Sequence, residues 1–346
     1  MNRTLPDNKS YSTAVVNSSS FGHYCAEAEE RLKDVGKVER LDVDPAIDGV
    51  ELAERLNGFD FVVASVTPQF PRAFFDNNDD VKLISRHGVG CDNVDLEAAC
   101  DHGVLVTRVA KADERDAVAE LSVALIMACA RHVKPACDAA LDGRWSERAG
   151  FVGLELSAAT VGVIGFGSIG SRVGEIMDQG FHSTVMAYDP YVSDEAIRSH
   201  GAEPSSLEEM LPHCDVLSFN AEHTGDNYRM VGERQLGMLK DGAIVVNTAR
   251  GELTDEEALA RAAREGKVSA VGLDVCEQEP PPDDHPLLKL PNLVLLPHVG
   301  SYTHATLERM DRKMAEDVEA MLEGNTPNEV VNPKVLESDN SRENTL

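Results

Sequence analysis

The chain has 346 residues, 42% of them hydrophobic, and its 60 Asp and Glu residues exceed 32 Lys and Arg residues to give a formal net charge of −28. This length is enough for two domains with separate cores, and the apolar fraction excludes an intrinsically disordered chain. A surface this negative repels phosphates and anionic lipids, and the sequence contains no basic patch. We therefore expect neither nucleic-acid nor membrane binding.

The cysteines and apolar runs indicate the compartment. The most apolar stretch, residues 121–130, is much shorter than the roughly 20 residues that span a membrane. Residues 1–12 are polar and lack the apolar core of a secretory signal, and the seven cysteines form no CxxC pair. We expect a reduced, cytoplasmic protein, and we expect no metal site.

The acidic residues are spread along the chain, and only 11 of the basic residues are lysines. This composition is typical of proteins from a salt-rich cytoplasm. The Debye length falls from about 10 Å at 0.1 M salt to about 3 Å at 1 M, so salt screens the repulsion between the carboxylates. The composition favours a halophilic protein, with an ordinary acidic enzyme as the alternative.

Short β-branched runs alternate with helical stretches from one end of the chain to the other. The predicted strands are 13–16, 37–41, 59–64, 82–85 and 104–107 in the first part, and 161–164, 185–189, 216–219, 243–247, 270–273 and 293–296 in the second. Alternation of this kind indicates parallel sheets covered by helices. The sequence therefore predicts an α/β protein with two doubly wound parallel-sheet domains.

Two long helices define the expected domain organisation. One, over residues 116–130, follows Asp113 and Glu114, acids that suit a helix N-terminus. The other covers residues 302–322 and is followed by a short segment and a polar tail. If it packs on the first domain, residues 113–299 form a domain inserted into a domain made of residues 1–112 and 300–346.

A glycine-rich turn follows the strand at 161–164 and leads into a helix. In the GxGxxG pattern Gly165 allows the tight turn, Gly167 lets the backbone approach a pyrophosphate, and Gly170 lets the helix pack on the strand. The helix N-terminus adds N–H donors and positive potential. The inserted domain is thus predicted to be a Rossmann cofactor domain. The predicted dinucleotide contacts of this turn are Gly165, Phe166, Gly167, Ser168, Ile169 and Gly170.

The next strand is predicted to end at Asp189, 19 residues after Gly170. An acid at this point accepts hydrogen bonds from the adenosine ribose and repels a 2′-phosphate, so it favours NAD, with NADP as the alternative. A purely structural reading is that Asp189 opens the turn at Asp189-Pro190.

Three further segments lie at predicted strand ends, where a doubly wound sheet binds its ligand: 247–251, 274–280 and 297–300. Taken singly, Arg250 could be a surface ion-pair partner, Glu279 a solvated loop acid and His298 a turn residue. Together they supply a cation for a carboxylate, a titrating imidazole and an acid beside it. That set suits the reversible reduction of a 2-oxo acid.

The sequence resembles the D-isomer-specific 2-hydroxyacid dehydrogenase family over about residues 55–332. The motifs that carry the resemblance are Ser85-Arg86-His87-Gly88-Val89-Gly90-Cys91-Asp92-Asn93-Val94-Asp95, Ala119-Glu120, the 165–170 turn, 247–251, 274–280 and His298. The resemblance implies a flavodoxin-like substrate domain, a small 2-oxo or 2-hydroxy acid as substrate, and a homodimer in which Trp145 lies at the interface. Core packing of Trp145 is the alternative.

The resemblance also implies roles for individual residues. Arg250 would orient the substrate, His298 would be the acid/base, and Glu279 would keep the histidine protonated for reduction. Asp274, Thr248 and Ala249 would lie at the cofactor. The N–H groups of Val89 and Gly90 would hold the substrate carboxylate, and Arg86 would lie near the substrate.

The chain departs from the family pattern at three places. Residues 218–224 replace a Ser-Leu-His-x-Pro-Leu-Thr segment, residues 108–111 replace Asn-x-Pro-Gly, and Ala64 stands where phosphoglycerate enzymes carry an arginine that faces the substrate. Because a phosphate needs basic partners, Ala64 favours an unphosphorylated substrate. D-3-phosphoglycerate dehydrogenase of serine synthesis, formate or phosphite oxidation, and an NAD-binding corepressor-like protein remain alternatives.

Overall fold

The structure, a computed structural model, describes residues 11–337. Two predictions concern residues outside this range. They are the polar start up to residue 10, on which the prediction of no secretory signal mostly depends, and the last part of the polar tail. Within the described range no helix combines the length and the apolar character needed to cross a membrane.

The chain divides into two compact units, one formed by the residues up to Glu114 and from Ser301 onward, the other by Arg115–Gly300. The first unit contains a five-stranded parallel sheet of order β2-β1-β3-β4-β5. Its elements are β1 (Tyr11–Val16), α1 (Ala26–Val35), β2 (Gly36–Leu41), α2 (Gly49–Arg55), β3 (Phe61–Ala64), α3 (Arg72–Phe75), β4 (Leu83–Arg86), α4 (Leu96–Asp101) and β5 (Leu105–Thr107).

Helix α5 (Lys111–Ala130) begins in the first unit and continues into the second. The remaining elements of the second unit are α6 (Val133–Leu141), β6 (Thr160–Ile164), α7 (Ser168–Glu175), β7 (Thr184–Tyr188), α8 (Asp194–Ser199), β8 (Glu203–Pro204), α9 (Leu207–Met210), β9 (Val216–Phe219), α10 (Glu233–Met238), β10 (Ala243–Asn247), α11 (Glu256–Arg264), β11 (Val268–Leu273) and β12 (Leu293–Leu295). Helix α12 (His304–Leu322) returns to the first unit.

The second unit is built on a seven-stranded parallel sheet of order β12-β11-β10-β9-β6-β7-β8. Two apolar clusters contain alternate residues of its strands. In β10, for example, Val245 belongs to one cluster, and Ile244 and Val246 belong to the other. Since successive side chains of a strand point to opposite faces, the sheet is buried on both sides. The predicted fold class, two doubly wound parallel-sheet α/β domains, is confirmed.

Helix α12 packs in the core of the first unit. Its Leu307, Met310 and Met314 belong to one apolar cluster with Val15 of β1 and Phe61 of β3. In α12, Met310 and Met314 are four residues apart, and Leu307 precedes Met310 by three, the spacing that places side chains on one helix face. This face covers the sheet, so the segment predicted at 302–322 belongs structurally with the beginning of the chain.

The boundaries of several predicted elements change in the structure. Strand β7 ends at Tyr188, which places Asp189 in the following loop, and α5 begins at Lys111 five residues earlier than predicted. The two-residue strand β8 was not predicted. It lies at the sheet edge and includes Pro204, so it has neither the length nor the alternation that identifies a strand.

Candidate active site

The glycine turn between β6 and α7 has the geometry that its pattern predicts. Gly165 has a φ of +82°, and a Cβ on it would lie 2.5 Å from the backbone of Ala221. A Cβ on Gly170 would lie 1.9 Å from the carbonyl oxygen of Gly165, so helix and turn approach too closely for any side chain. At Gly167 a Cβ would meet no atom of the described chain within 4 Å. The turn is therefore tightly packed at Gly165 and Gly170. It is open at Gly167, where a ligand can approach.

Asp189 lies beside this turn and fixes it. Its Oδ2 accepts a hydrogen bond from the Phe166 N–H at 2.7 Å, and its Oδ1 accepts one from the Tyr191 N–H at 2.8 Å. The structural role of Asp189 in the turn is thus real. Each carboxylate oxygen has further lone pairs, so these bonds leave capacity to accept from ribose hydroxyls.

A cavity of about 320 Å³ lies next to Asp189. It is lined by Ala187, Asp189, Asp194, Ile197, Pro204, Ser205, Ser206 and Glu209. Three of these residues are acidic, so the cavity disfavours an additional phosphate group. Its position at the end of β7 is where the adenosine end of a dinucleotide lies in a Rossmann fold.

Asn220, at the end of β9, was not among the predicted site residues. Its Nδ2 donates to Ser218 Oγ at 3.0 Å, and its backbone N–H donates to the Ile164 carbonyl at 2.8 Å. Its Oδ1 is buried without a hydrogen-bond partner among the described residues. A buried acceptor without a partner is costly, so this oxygen suits a donor from a bound ligand. The departure from the family pattern at 218–224 was the available signal.

The loop after β10 carries Arg250. Asn247 holds the loop in place, because its Oδ1 accepts from the Ala249 N–H at 2.9 Å and its Nδ2 donates to the Arg250 carbonyl at 2.8 Å. Thr248 is buried, and its hydroxyl lies 2.6 Å from the hydroxyl of Ser122 on α5. Arg250 is half-buried, and its Nη1 donates to the Ala249 carbonyl at 2.7 Å.

Glu279 and His298 are in contact although they are 19 positions apart in the sequence. His298 Nδ1 lies 2.8 Å from Glu279 Oε2, and the two side chains are 28% and 33% exposed. The other carboxylate oxygen, Oε1, accepts from the Cys276 N–H at 3.1 Å. The carboxylate is therefore oriented by its own loop while it contacts the imidazole, and both groups remain accessible to a small molecule.

Asp274 organises the turn that carries His298. Its two carboxylate oxygens accept from the N–H groups of Val299 and Gly300 at 2.8 and 2.7 Å, and its carbonyl accepts from the His298 N–H at 2.8 Å. Burial raises the pKa of the Asp274 carboxyl, while these donors and the nearby His298 act in the opposite direction. The predicted cofactor residue thus supports the histidine turn directly.

The backbone of His298 itself has a φ of +56°. Residues other than glycine rarely adopt this left-handed region, and such conformations are concentrated at functional sites where neighbouring contacts enforce them. Here the three hydrogen bonds that Asp274 accepts hold the turn in this conformation.

The three predicted catalytic residues follow three neighbouring strands. Arg250 follows β10, Glu279 follows β11 and His298 follows β12, and these strands are adjacent and parallel. Their carboxyl ends therefore share one edge of the sheet, the edge at which the glycine turn follows β6. The structure brings Glu279, His298 and Asp274 into one hydrogen-bonded group and places Arg250 on the next loop.

The predicted substrate residues lie in the first unit. Arg86 is only 2% exposed; its Nε donates to the Gly90 carbonyl at 2.8 Å, and its Nη1 donates to the carbonyls of Ala64 and His87 at 3.1 and 3.2 Å. These bonds fasten the loop that carries Val89 and Gly90, both of which are partly exposed. Arg86 therefore supports the loop through its guanidinium group.

Two further observations concern metals and Trp145. Within residues 11–337 no group of three or more His, Cys, Asp or Glu side chains is arranged to hold a metal ion. Trp145 is 73% exposed, so the alternative that it packs in the core of its own chain is wrong.

Comparison with known proteins identifies the second unit. Residues 123–300 match the model of the D-isomer specific 2-hydroxyacid dehydrogenase, NAD binding domain. The match includes the glycine turn, Asp189, Arg250, Glu279 and His298.

Two curated relatives are similar over most of the chain. D-3-phosphoglycerate dehydrogenase of Methanocaldococcus jannaschii is 35% identical over 305 residues, which cover 88% of this chain and 57% of that protein. Glyoxylate reductase of Thermococcus litoralis is 35% identical over 293 residues, which cover 83% of this chain and 88% of the relative. The chain thus spans little more than half the length of the phosphoglycerate enzyme.

Solved structures share the fold. D-lactate dehydrogenase of Aquifex aeolicus, determined as a complex with NAD and lactic acid, superposes with a TM-score of 0.81 at 27% identity, covering 92% of this chain and 99% of that one. These relatives are named for different substrates, so the comparisons identify the family and no single substrate.

Proposed function

Because the chain belongs to the D-isomer-specific 2-hydroxyacid dehydrogenase family, we propose that it interconverts a D-2-hydroxy acid and the corresponding 2-oxo acid with NAD. In this proposal the unit Arg115–Gly300 binds the cofactor and the other unit binds the substrate. The observation that carries the proposal is the contact between Glu279 and His298 at 2.8 Å on the same sheet edge as the glycine turn.

The residues of the second unit fit a dinucleotide. Gly167 leaves room for the pyrophosphate, and α7 begins directly after it without a side-chain cap among the described residues, so its first N–H groups can face an anion. Asp189 and the cavity beside it suit the adenosine ribose, and the unpartnered Asn220 Oδ1 can accept a bond from the cofactor. Bound NADH would supply the hydride that reduces C2 of the substrate.

His298 supplies the proton. Its Nδ1 faces Glu279, so we place proton transfer to the substrate oxygen at Nε2. The Glu279 carboxylate contacts Nδ1 and so orients the imidazole ring, which leaves Nε2 available to the substrate oxygen. In oxidation the same nitrogen takes the proton back.

Arg250, in the second unit, would orient the acid. The charge of Arg250 stabilises negative charge that develops on the substrate oxygen, a contribution separate from proton transfer. The N–H groups of Val89 and Gly90 would hold the substrate carboxylate. Arg86 keeps that loop in place through the Gly90 carbonyl.

The substrate we favour is a small unphosphorylated 2-oxo acid. Ala64 ends β3, and its carbonyl accepts from Arg86 Nη1 at 3.1 Å and from the His87 N–H at 2.9 Å. The position thus offers no cation, and Arg86, which bonds to the Ala64 carbonyl, donates to two further backbone carbonyls. A phosphate carries up to about two negative charges and needs basic partners.

A panel of substrates tests the function. Glyoxylate, hydroxypyruvate, pyruvate and 3-phosphohydroxypyruvate are each incubated with NADH or NADPH in high KCl, and kcat/KM is measured for every pair. We expect NADH turnover with higher kcat/KM for an unphosphorylated acid. A clear preference for 3-phosphohydroxypyruvate would identify a phosphoglycerate dehydrogenase, and NAD binding without turnover would favour a corepressor-like protein.

We also propose a homodimer formed by the segment 133–152 of the second unit. Large apolar side chains are exposed along it: Val133 is 52%, Leu141 82%, Trp145 73% and Val152 80% exposed. Four large exposed apolar side chains on one short segment support an interface there. Light scattering tests it: the wild type should have twice the chain mass, and Trp145→Glu should shift it toward one chain. A wild-type monomer would contradict the proposal.

We further propose that the protein works in a reduced, salt-rich cytoplasm. All seven cysteines are free, as in proteins from reducing compartments. The 28 excess negative charges repel one another in dilute buffer, so the melting temperature should rise steeply with KCl. An unchanged melting temperature between dilute buffer and molar KCl would contradict adaptation to salt.

A further inference from the structure

Glu256, the first residue of α11, is a buried carboxylate outside the set of residues described above as catalytic or cofactor-binding. It is 7% exposed, and burial raises the pKa of its carboxyl, although the hydrogen bond from the Glu277 N–H and the nearby His285 act against the increase. Burying an acid is unfavourable unless its oxygens are bonded. The contacts that offset this cost indicate what the residue does.

Each oxygen of Glu256 has one such contact. Oε1 accepts from the Glu277 N–H at 2.9 Å, and Oε2 lies 3.3 Å from His285 Nε2. The other ring nitrogen, His285 Nδ1, is buried without a hydrogen-bond partner among the described residues. The His285 ring therefore faces the second oxygen of Glu256 through Nε2, while the first oxygen is bonded to the loop.

The loop that Glu256 contacts is the one that carries Glu279. Glu277 directly follows Cys276, whose N–H donates to Glu279 Oε1 at 3.1 Å. The other carboxylate oxygen of Glu279, Oε2, contacts His298. On the other side, Gly251 packs so closely that a Cβ would lie 2.1 Å from the Glu277 nitrogen. The Glu277 peptide is thus fixed between α11 and the loop after β10.

We propose that Glu256, braced by His285, is a positioning residue that places the 276–279 loop so that Glu279 orients His298. The proposal rests on the proposed function, because it assigns His298 the acid/base role. The positioning role requires a hydrogen-bond acceptor at the position of Glu256 Oε1, because the bond from the Glu277 N–H fixes the loop. A neutral amide oxygen at that place serves equally well.

Four variants test this position. Glu256→Ala removes the acceptor, Glu256→Asp keeps the charge but withdraws the oxygens by one methylene, and Glu256→Gln keeps an acceptor at full length. Glu257→Ala is the matched control, because Glu257 is the next residue of the same helix and is exposed. We expect kcat to fall about 10- to 100-fold in Glu256→Ala and Glu256→Asp, the loss that misplacement of a catalytic group can cause. Glu256→Gln and Glu257→Ala should stay close to wild type.

A second readout does not depend on turnover. The His298 ring is titrated by NMR in the protein without cofactor, with His298→Ala used to assign its signal. In Glu256→Asp the pH of half-protonation should move down, because Glu279 no longer faces the imidazole as closely, and Glu256→Gln should match wild type. If Glu256→Ala does not fold, Glu256→Asp and Glu256→Gln give the comparison.

The two proposals fail in different ways. Absence of NADH turnover in the wild type contradicts the proposed function but leaves the His298 titration interpretable. The positioning role is overturned if Glu256→Asp has the same kcat and the same His298 titration as the wild type. It is also overturned if Glu256→Gln loses as much kcat as Glu256→Asp does.

Discussion

His298 Nδ1 lies 2.8 Å from Glu279 Oε2 while the backbone of His298 has a φ of +56°. Asp274 holds the turn that carries this backbone conformation by accepting from the N–H groups of Val299 and Gly300. The imidazole is therefore oriented from its ring nitrogen and from its main chain. This double constraint is the structural basis of the proposed acid/base role.

Removing the imidazole should abolish most turnover without affecting the cofactor site. We expect His298→Ala to lower kcat about 10²- to 10⁴-fold, the usual contribution of general acid–base catalysis. Arg250→Ala should also lose most turnover. Neither residue belongs to the 165–170 turn, so NADH affinity, measured by fluorescence titration, should be retained.

His182→Ala is a matched control for the histidine variant. His182 is an exposed histidine of the same unit and also has a positive φ, +59°. Near-normal rates in His298→Ala, or an equal loss in His182→Ala, would refute the acid/base assignment.

Neutralising Glu279 should shift the pH profile for reduction to lower pH. The anion favours the protonated imidazole, so in Glu279→Gln the proton is lost at a lower pH and reduction declines earlier as pH rises. The pH dependence of kcat/KM for the oxo acid measures this shift. The profile for oxidation should move in the same direction, with activity appearing at lower pH, because oxidation needs the neutral imidazole. A profile that does not move would show that Glu279 is not coupled to His298.

Local patterns were sufficient to predict the fold class and to place the candidate site residues at the carboxyl ends of parallel strands. The GxGxxG turn after β6 and the acid at Asp189 lie close in sequence to the strands that define them. The same holds for Arg250, Glu279 and His298, each of which follows a short apolar run. Parallel strands bring such residues to one edge whatever their separation, so the sheet alone implies that they are neighbours.

Contacts between distant segments could not be predicted in this way. The carboxylate of Asp274 binds N–H groups 25 and 26 residues later, and Glu256 binds an N–H 21 residues later. Nothing in the local sequence specifies these partners. Arg86 is a similar case, because its burial and its bonds to Ala64 and Gly90 depend on how β3 and β4 pair.

Asp189 should make NADH the preferred reductant. Its carboxylate repels a 2′-phosphate, and Asp194 and Glu209 line the same cavity. We expect Asp189→Asn to lower the ratio of the Kd for NADP to the Kd for NAD. Calorimetry with each cofactor measures the two Kd values. Asn keeps one acceptor oxygen for the N–H groups of Phe166 or Tyr191, so it disturbs the turn less than Ala does.

Glu195→Gln, an exposed substitution on the same helix as Asp194, is the control for net charge. A wild type that binds NADP more tightly than NAD would show that other residues read the ribose.

The first unit should lose stability as Asp317 ionises. Asp317 is 1% exposed and accepts from the hydroxyls of Ser85 and Thr107, both at 2.7 Å. Burial raises the pKa of its carboxyl, although Lys313 and these hydroxyls act against the increase. The folded state therefore binds this proton more tightly than the unfolded state does. The stability that the proton provides is complete below the unfolded pKa and is lost as pH rises through the folded pKa.

Asp317→Asn cannot ionise and serves as the reference. The free energy of unfolding of the wild type, relative to that of the variant, should fall as pH is raised through this window. Urea unfolding followed by circular dichroism measures both. A difference that is constant, or that grows with pH, would contradict the raised pKa.

The most direct test of the proposed function is the configuration of the product. The purified wild type is incubated with NADH and hydroxypyruvate in high KCl, and the glycerate formed is resolved by chiral chromatography, with His298→Ala run in parallel. We predict that NADH consumption matches glycerate formation, that the product is D-glycerate, and that His298→Ala forms almost none. Formation of L-glycerate, or undiminished product from His298→Ala, would contradict the assignment of this chain as a D-2-hydroxyacid dehydrogenase that uses His298 as its acid.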